Sequence, residues 1–319
     1  MPSYSGIWTL SQQFQAVGQG LWPPNFVPDG TFGIFALGYT TTPVTTRNKY
    51  TYSGDVVSSA TAATVASCSG SAAGNSTIGI FALGVVSGTG STTRDKYTYS
   101  GCVVSAGGAA TVASYQGSAT GNSTVGIFAL GFTTNLSTTR NKYTYSGCVV
   151  SAGGAATTGS SEGSGAGTST VGIFALGNTN CGRVATRNKY TYSGDVVSAG
   201  SAATTASRNG SASGNSTVGI FALGRIGVCS IFVTTRDKYT YSGCVVSAGG
   251  AATAASSFGS AAGNSTVGIF ALGFNSSFAA LTTRNTYTYS GDVVAVGGAA
   301  TVASAGGSAA GNGTLGVNT

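Results

Sequence analysis

The 319-residue chain contains no histidine, seven acidic residues, six cysteines and fourteen lysines and arginines. Without histidine, Ser-His-Asp and Cys-His catalytic groupings and imidazole metal ligation cannot be assembled from it. The acids are Asp29, Asp55, Asp95, Glu162, Asp195, Asp237 and Asp292, and no two are neighbours in sequence. Carboxylate-pair hydrolysis needs two carboxyl groups roughly 5–10 Å apart, whereas five of these acids recur at repeat positions expected to be spread around a ring. Glu162, the only glutamate, is the residue to test should hydrolysis be found. There is no C-x-x-C pair and no Cys/His cluster to suggest zinc. Cys102, Cys148 and Cys244 alternate with Asp55, Asp195 and Asp292 at one repeat position. Pairing there would need Cα atoms within about 7 Å, so free thiols are expected; Cys181 and Cys229, in loops of adjacent repeats, admit a disulfide. The net charge is +7, but the bases are dispersed without a Lys/Arg run, and nucleic-acid binding is not expected. These residues point to a protein that is not an enzyme and uses no cofactor or metal.

The elements that position these residues come from a repeat. Gly-Ile-Phe-Ala-Leu-Gly begins at Gly33, Gly79, Gly126, Gly172, Gly219 and Gly268, in steps of 46 to 49 residues. A second motif, Thr-Arg-Asn/Asp-x-Tyr-Thr-Tyr-Ser-Gly, follows each time with its arginine at Arg47, Arg94, Arg140, Arg187, Arg236 and Arg284. The first is a short apolar run between glycines and the second alternates large aromatics with polar residues, so both read as strands. A Val pair and a small-residue stretch such as Ser71-Ala72-Ala73-Gly74 supply two more. Four short strands in such a unit match a β-propeller blade, whose radial closure leaves only short, protected edges. The fold class is therefore all-β: a six-bladed propeller over 31–319, with Gly-Ile-Phe-Ala-Leu-Gly as the innermost strand and a Phe and two Tyr per unit as core. A partial copy at Leu315-Gly316-Val317 admits a seventh, degenerate blade built with residues 4–30. No apolar run approaches the roughly 20 residues of a membrane-spanning helix, and no signal peptide is expected at Met1-Pro2-Ser3-Tyr4-Ser5.

The six copies disagree at two places. One is the loop between the motifs, which opens with Tyr39, Val85, Phe132, Asn178, Arg225 and Phe274. The other is a dipeptide: Cys68-Ser69, Tyr115-Gln116, Ser161-Glu162, Arg208-Asn209, Ser257-Phe258 and Ala305-Gly306. In an antiparallel meander alternate connections emerge on alternate faces, which puts both variable places on one face and the repeated Tyr-Ser-Gly and Gly-Asn-Ser-Thr turns on the other. Asn75, Asn122, Asn215 and Asn264 lie in glycosylation sequons, but Asn-Ser-Thr here reads as turn chemistry. Loops on a rigid scaffold carry binding more often than the scaffold does. The expected ligand-binding residues are Tyr39, Phe132, Asn178, Arg225 and Phe274 around the axial opening, with Tyr115, Gln116, Arg208, Asn209 and Phe258 nearby. Aromatic faces and Arg forks suit a cell-surface glycan.

An apolar strand ending in Gly, a variable loop, a Tyr strand, a hydrophobic pair and a small-residue return together resemble the kelch repeat, over about 31–314. The kelch double Gly is Leu-Gly here, and its Trp is Val. That resemblance implies a propeller whose loop face near the axis takes the ligand. Residues 1–30 break the repeat and hold both tryptophans. Leu10, Phe14 and Val17 fall at helical spacing after a possible Thr9 cap, and Trp22-Pro23-Pro24 continues extended. The stretch from Gly6 to Phe14 with the following Trp-Pro resembles the opening segment of tailed-bacteriophage virion proteins. It implies attachment to other virion proteins through Trp8, Leu10, Phe14, Val17 and Trp22, a virion location and the possibility of a homo-oligomer there. A decayed half-blade is the alternative for this segment. The resulting expectation is a non-enzymatic phage surface protein displaying a propeller to a host glycan, without membrane insertion. A bacterial propeller lectin or scaffold, or a purely structural capsid or tail decoration, are the alternatives.

Overall fold

The computed structural model describes residues 30–313; Trp8, Leu10, Phe14, Val17, Trp22 and the partial copy at 315–317 lie outside the described residues. Six four-stranded antiparallel sheets repeat along the chain. In the second of them Ser71–Gly74, Ile78–Ala82, Arg94–Thr98 and Val103–Ala106 follow one another across the sheet. The equivalents of Ser71–Gly74 in all six sheets touch their two neighbours in a closed circle. The architecture is thus a ring of six blades, as the repeat count requires, and not seven.

One expectation about the blade is corrected. The innermost strand is the small-residue stretch, and Gly-Ile-Phe-Ala-Leu lies second. Where six strands converge on an axis there is room only for Ser, Ala, Thr and Gly. A Cβ added at Gly121 would lie 2.5 Å from the Val125 carbonyl oxygen, and one at Gly165 would lie 2.7 Å from that of Ala119. Phe and Ile need the wedge that opens between blades further out. Blade order is shifted by one strand relative to the expectation, and this shift explains the closure. The first blade takes its outer three strands from Phe32–Ala36, Arg47–Thr51 and Val56–Ala60, and its innermost from Ser308–Gly311. Gly33 pairs with Gly311 and Ile34 with Ala310, while the Phe32 amide donates to Asn312 Oδ1 at 2.9 Å.

Period-two alternation gives each strand one side chain toward the following blade and the next toward the preceding one. Because both faces of a blade are covered, both sets are largely buried in the two inner strands, while the outermost strand keeps one set exposed. Ile34 and Ala310 of the first blade pack on Ala72, Phe81, Tyr97 and Tyr99 of the second, and Ala73 and Ile80 of the second on Ala119, Phe128, Tyr143 and Tyr145 of the third. The third strand applies the same rule to polar residues. Arg94 reaches forward to Asn141 Oδ1 at 3.1 Å, and Asp95 reaches back to accept from Arg47 at 2.8 Å. The relay continues from Arg140 to Asn188, Arg187 to Asp237, Arg236 to Asn285 and Arg284 to Asn48, closing the circle. Each guanidinium also lies over the next blade's phenylalanine, 4.4–4.7 Å from the ring centroid. The same Asn or Asp accepts a threonine amide from the linker between blades, as Asn141 does from Thr111 and Asp95 from Thr64.

The buried side chains set the alkaline limit of the fold. Burial raises the titration of ten tyrosines above the ordinary value, to about 12 at Tyr97, Tyr143 and Tyr239. Burial also lowers Arg94, Arg140, Arg236 and Arg284 to about 10. The tyrosine contribution is intact below pH ~10 and is lost as pH climbs toward the folded values, because only the unfolded chain then releases the phenol proton. These four arginines, together with Arg47, Arg183, Arg187 and Arg225, which burial also lowers, act in the opposite sense and are fewer than the ten tyrosines. We expect stability to fall between about pH 10 and 12, with tyrosinate absorbance rising in the same cooperative step as the loss of circular dichroism; separate, non-coincident transitions would contradict it. A second expectation concerns the relay. Asp95→Ala leaves Arg47 buried and unpaired and should cost about 3–5 kcal/mol in urea denaturation. Asp95→Asn recreates the arrangement at Asn141 and should cost well under half of that.

Candidate functional site

Each blade makes four connections. Those from innermost to second strand and from third to outer strand lie on one face; those from second to third strand and from outer strand to the next blade lie on the other. The shift in strand order leaves this parity intact, so both variable places share a face as expected. Backbone bridges join them: Tyr115 pairs with Phe132, Ser161 with Asn178, Cys68 with Val85, Ser257 with Phe274 and Tyr39 with Ala305, and Arg208 pairs with Arg225.

The shift does change which residues ring the axis. The second member of each dipeptide directly precedes a glycine and the innermost strand, so Ser69, Gln116, Glu162, Asn209, Phe258 and Gly306 form the inner circle. Their amides and carbonyls close a cycle: Gln116 N–H donates to Ser69 O, Glu162 to Gln116, Asn209 to Glu162, Phe258 to Asn209, Gly306 to Phe258 and Ser69 to Gly306, all within 2.7–2.9 Å. Every member has φ between 54° and 60°, a left-handed conformation that costs a non-glycine residue roughly 1–2 kcal/mol. The glycine that follows is obligatory: a Cβ at Gly210 would lie 1.9 Å from the Ala222 carbonyl oxygen. This circle rims an axial depression of about 50 Å³. Tyr39, Phe132, Asn178, Arg225 and Phe274, expected at the rim, stand one step outward.

Around the circle the side chains sort by sector. In the sixth blade and its neighbours Phe258 meets Phe274 at 6.0 Å, Tyr39 meets Phe274 at 6.5 Å, and Phe278 lies 6.4 Å from Phe274 and 5.2 Å from Phe232. In the third blade Tyr115 meets Phe132 at 5.2 Å. Between them, Glu162 Oε2 accepts from Arg208 Nη1 at 3.0 Å and Glu162 Oε1 from Gln116 at 3.4 Å. Arg225 donates to Asn209 Oδ1 at 2.5 Å and lies 4.8 Å over the Phe258 ring. Arg183 donates to Gly227 O and Ser230 Oγ of the next blade's loop. Burial, and then the nearby Arg208 cation, hold Arg183 and Arg225 below the usual arginine range.

The structure therefore brings all ten expected binding residues to one face, and adds residues the sequence reading left out of the site. Ser69, Glu162 and Gly306 occupy the repeat position of Gln116, Asn209 and Phe258, and that equivalence was the available signal. Arg183, Phe232 and Phe278 sit in loops of unequal length, where no register exists to place them.

The opposite face has its own reason to be constant. Asn75 Oδ1 accepts from the Thr77 and Ile78 amides, and its Nδ2 donates across the blade boundary to Ser123 O. Asn122, Asn215 and Asn264 repeat this bond toward Ser169, Ser265 and Gly30. These sequon asparagines are turn residues and inter-blade ties. The invariance of that face thus reflects structure, and the case for the variable face rests on what it displays. All six cysteines are free thiols, with Cys181 and Cys229 exposed. Among the described residues no three His, Cys, Asp or Glu side chains are grouped to hold a metal ion.

Six four-stranded blades closed head to tail make the chain a β-propeller. A solved structure described as "Structure of YjhT", also a propeller, superposes with a TM-score of 0.61 over 82% of this chain and 99% of that one, at 10% identity. At that identity the likeness concerns the fold alone. No protein-family model and no curated protein matches the sequence.

The inner circle yields a direct test. Gln116→Gly, which keeps the amide and relieves the left-handed conformation, should leave stability within about 1 kcal/mol. Gln116→Pro removes the donor and forbids the φ, and should cost about 3 kcal/mol or more. Equal melting temperatures for the two variants would show that the circle contributes nothing.

Proposed function

We propose that the chain is a non-enzymatic recognition module whose ligand rests on the variable face, over the axial depression. The observation that carries this reading is the convergence of divergence: blades otherwise near-identical differ where their residues meet around one mouth, and the side chains gathered there are Tyr, Phe, Arg and amides. Of these, Tyr and Arg are enriched in binding hot spots. A rigid ring offers them as a preorganised surface, which limits the ordering cost of association. Glu162 has both carboxylate oxygens engaged, by Arg208 and Gln116, which suits a fixed partner of a guanidinium better than a proton carrier.

The setting proposed for this module is the surface of a bacteriophage virion. The likeness of the Gly6–Phe14 stretch to virion attachment segments supports it, and the kelch-like order of motifs supports ligand contact on the same loop face. Residues 1–30 would join the chain to other virion proteins and the propeller would meet a host-surface glycan. Mass spectrometry of purified virions should detect the chain; its absence would remove this setting and leave the recognition module. Truncation of a hot-spot residue costs about 2 kcal/mol or more. Tyr115→Ala combined with Arg208→Ala should therefore lower host-cell adhesion more than tenfold with the melting temperature retained. Ser53→Ala, on the opposite face, should leave adhesion unchanged. Adhesion that depends on Ser53 and ignores Tyr115 and Arg208 would refute the assignment of the face.

A further inference from the structure

Charge on the variable face is confined to one sector. Its connections carry four charged residues, Glu162, Arg183, Arg208 and Arg225, and all belong to the fourth and fifth blades. The remaining basic residues are elsewhere: six arginines in the inter-blade relay and five lysines on the third strands. The sector is therefore a local excess of two positive charges on a face otherwise neutral.

The arginines are not balanced by their surroundings. Arg208 and Arg225 are directly opposed on an antiparallel pair, which places their Cβ atoms about 4.5–5.5 Å apart and is unfavourable for like charges. Only Arg208 has a counter-ion, Glu162. Arg225, 7% exposed, is held by the neutral Asn209 amide, and Arg183 by a carbonyl and a hydroxyl. The Nε atoms of all three have no hydrogen-bond partner, as is also true of the six relay arginines; what is particular to this sector is that the hydroxyl of Ser257, 2% exposed in the next blade, also lacks one. An anion of fixed position would relieve the like-charge opposition and give the guanidinium forks the planar acceptor they match. The aromatic arc begins at the same point, since the Arg225 guanidinium lies over Phe258 and Phe274 stands beside Phe258.

We infer that this sector selects an acidic glycan, seating a sugar carboxylate among Arg183, Arg208 and Arg225 and the sugar ring on the Phe258–Phe274 arc. The inference rests on the recognition function proposed above and adds the ligand's charge class and its orientation across the fourth to sixth blades. Glu162 is then an internal competitor for Arg208, displaced in part when the ligand carboxylate arrives.

The test is calorimetric titration of the full chain with oligogalacturonate and alginate oligomers, each beside its carboxyl-reduced neutral form, with dextran sulfate as a third arm. The carboxylated oligomers should bind at least about tenfold more tightly than the reduced ones. Arg183→Gln should weaken that binding about tenfold with an unchanged melting temperature, whereas Glu162→Gln, which frees Arg208, should strengthen it severalfold. A merely structural Glu162–Arg208 pair would not give that gain. Equal binding of reduced oligomers, still sensitive to Tyr115→Ala, would overturn the acidic selectivity and leave the recognition face standing. Dextran sulfate binding as tightly as oligogalacturonate would overturn it as unselective polyanion attraction. Absence of binding to every oligomer, alongside host-cell adhesion that survives Tyr115→Ala with Arg208→Ala, would overturn both.

Discussion

Everything in this ring depends on one polar contact made six times, the buried guanidinium of one blade on the Asn or Asp of the next. Apolar burial alone would not fix how far one blade is rotated or slid against its neighbour, because Ala, Ile and Phe tolerate small displacements. A fork-shaped donor stacked on a phenylalanine and aimed at a single acceptor does fix it. Since the donor leads and the acceptor trails within every blade, the interface is head to tail, and head-to-tail interfaces close only when the rotation per unit divides the circle. Burying these cations is costly; Asp occurs as acceptor at two of the six contacts, Asp95 and Asp237. Asn serves at the others, with cation–π stacking and carbonyl contacts sharing the load.

Division of labour between the two faces follows from that rigidity. With blade angles fixed by the relay, and the opposite face tied by Asn75 and its equivalents, the loops of the variable face are relieved of structural duty beyond the left-handed cycle at the rim. That cycle uses backbone atoms only, so any side chain can occupy it: Ser, Gln, Glu, Asn, Phe and Gly all do. The rim keeps its geometry while its chemistry changes from blade to blade. Aromatic, cationic and amide sectors can then sit side by side without disturbing the scaffold beneath them.

Blade count, strand content and the aromatic core were legible in the sequence because they are written six times in register. The parity of the connections was legible too, since it depends on alternation and not on which strand is first. Strand order within the blade was not. Gly33 to Leu37 looked innermost because it is apolar and glycine-bounded, yet hydrophobicity marks burial and not radius; the better guide was side-chain volume, which is least at Ser71–Gly74. Arg47 and its equivalents were read only as part of a motif, for a lone arginine beside tyrosine carries no sign of whether it faces water or the next blade. Glu162 was noticed as a singular acid, but its partnership with Arg208 spans 46 residues and two blades, a proximity that only the stacking of adjacent blades creates.

The composite first blade has a consequence for how the molecule comes into being. During synthesis from the N-terminus, Phe32–Ala36 emerges early and stays an open edge until Ser308–Gly311 has left the ribosome. Five blades can stack progressively behind it, each resting on contacts close in sequence, but the circle itself is a contact between positions nearly 280 residues apart. Such non-local closure is slow relative to local folding, and an unpaired strand is open to strangers in the interval. Every innermost strand in the chain has nearly the same small-residue composition, so the strand most able to intrude is that of another nascent copy. At this seam the Phe32 amide donates to Asn312 Oδ1 just as the Ile78 amide does to Asn75, so the asparagine does not single out the rightful closing strand; its place as the last innermost strand to be made does.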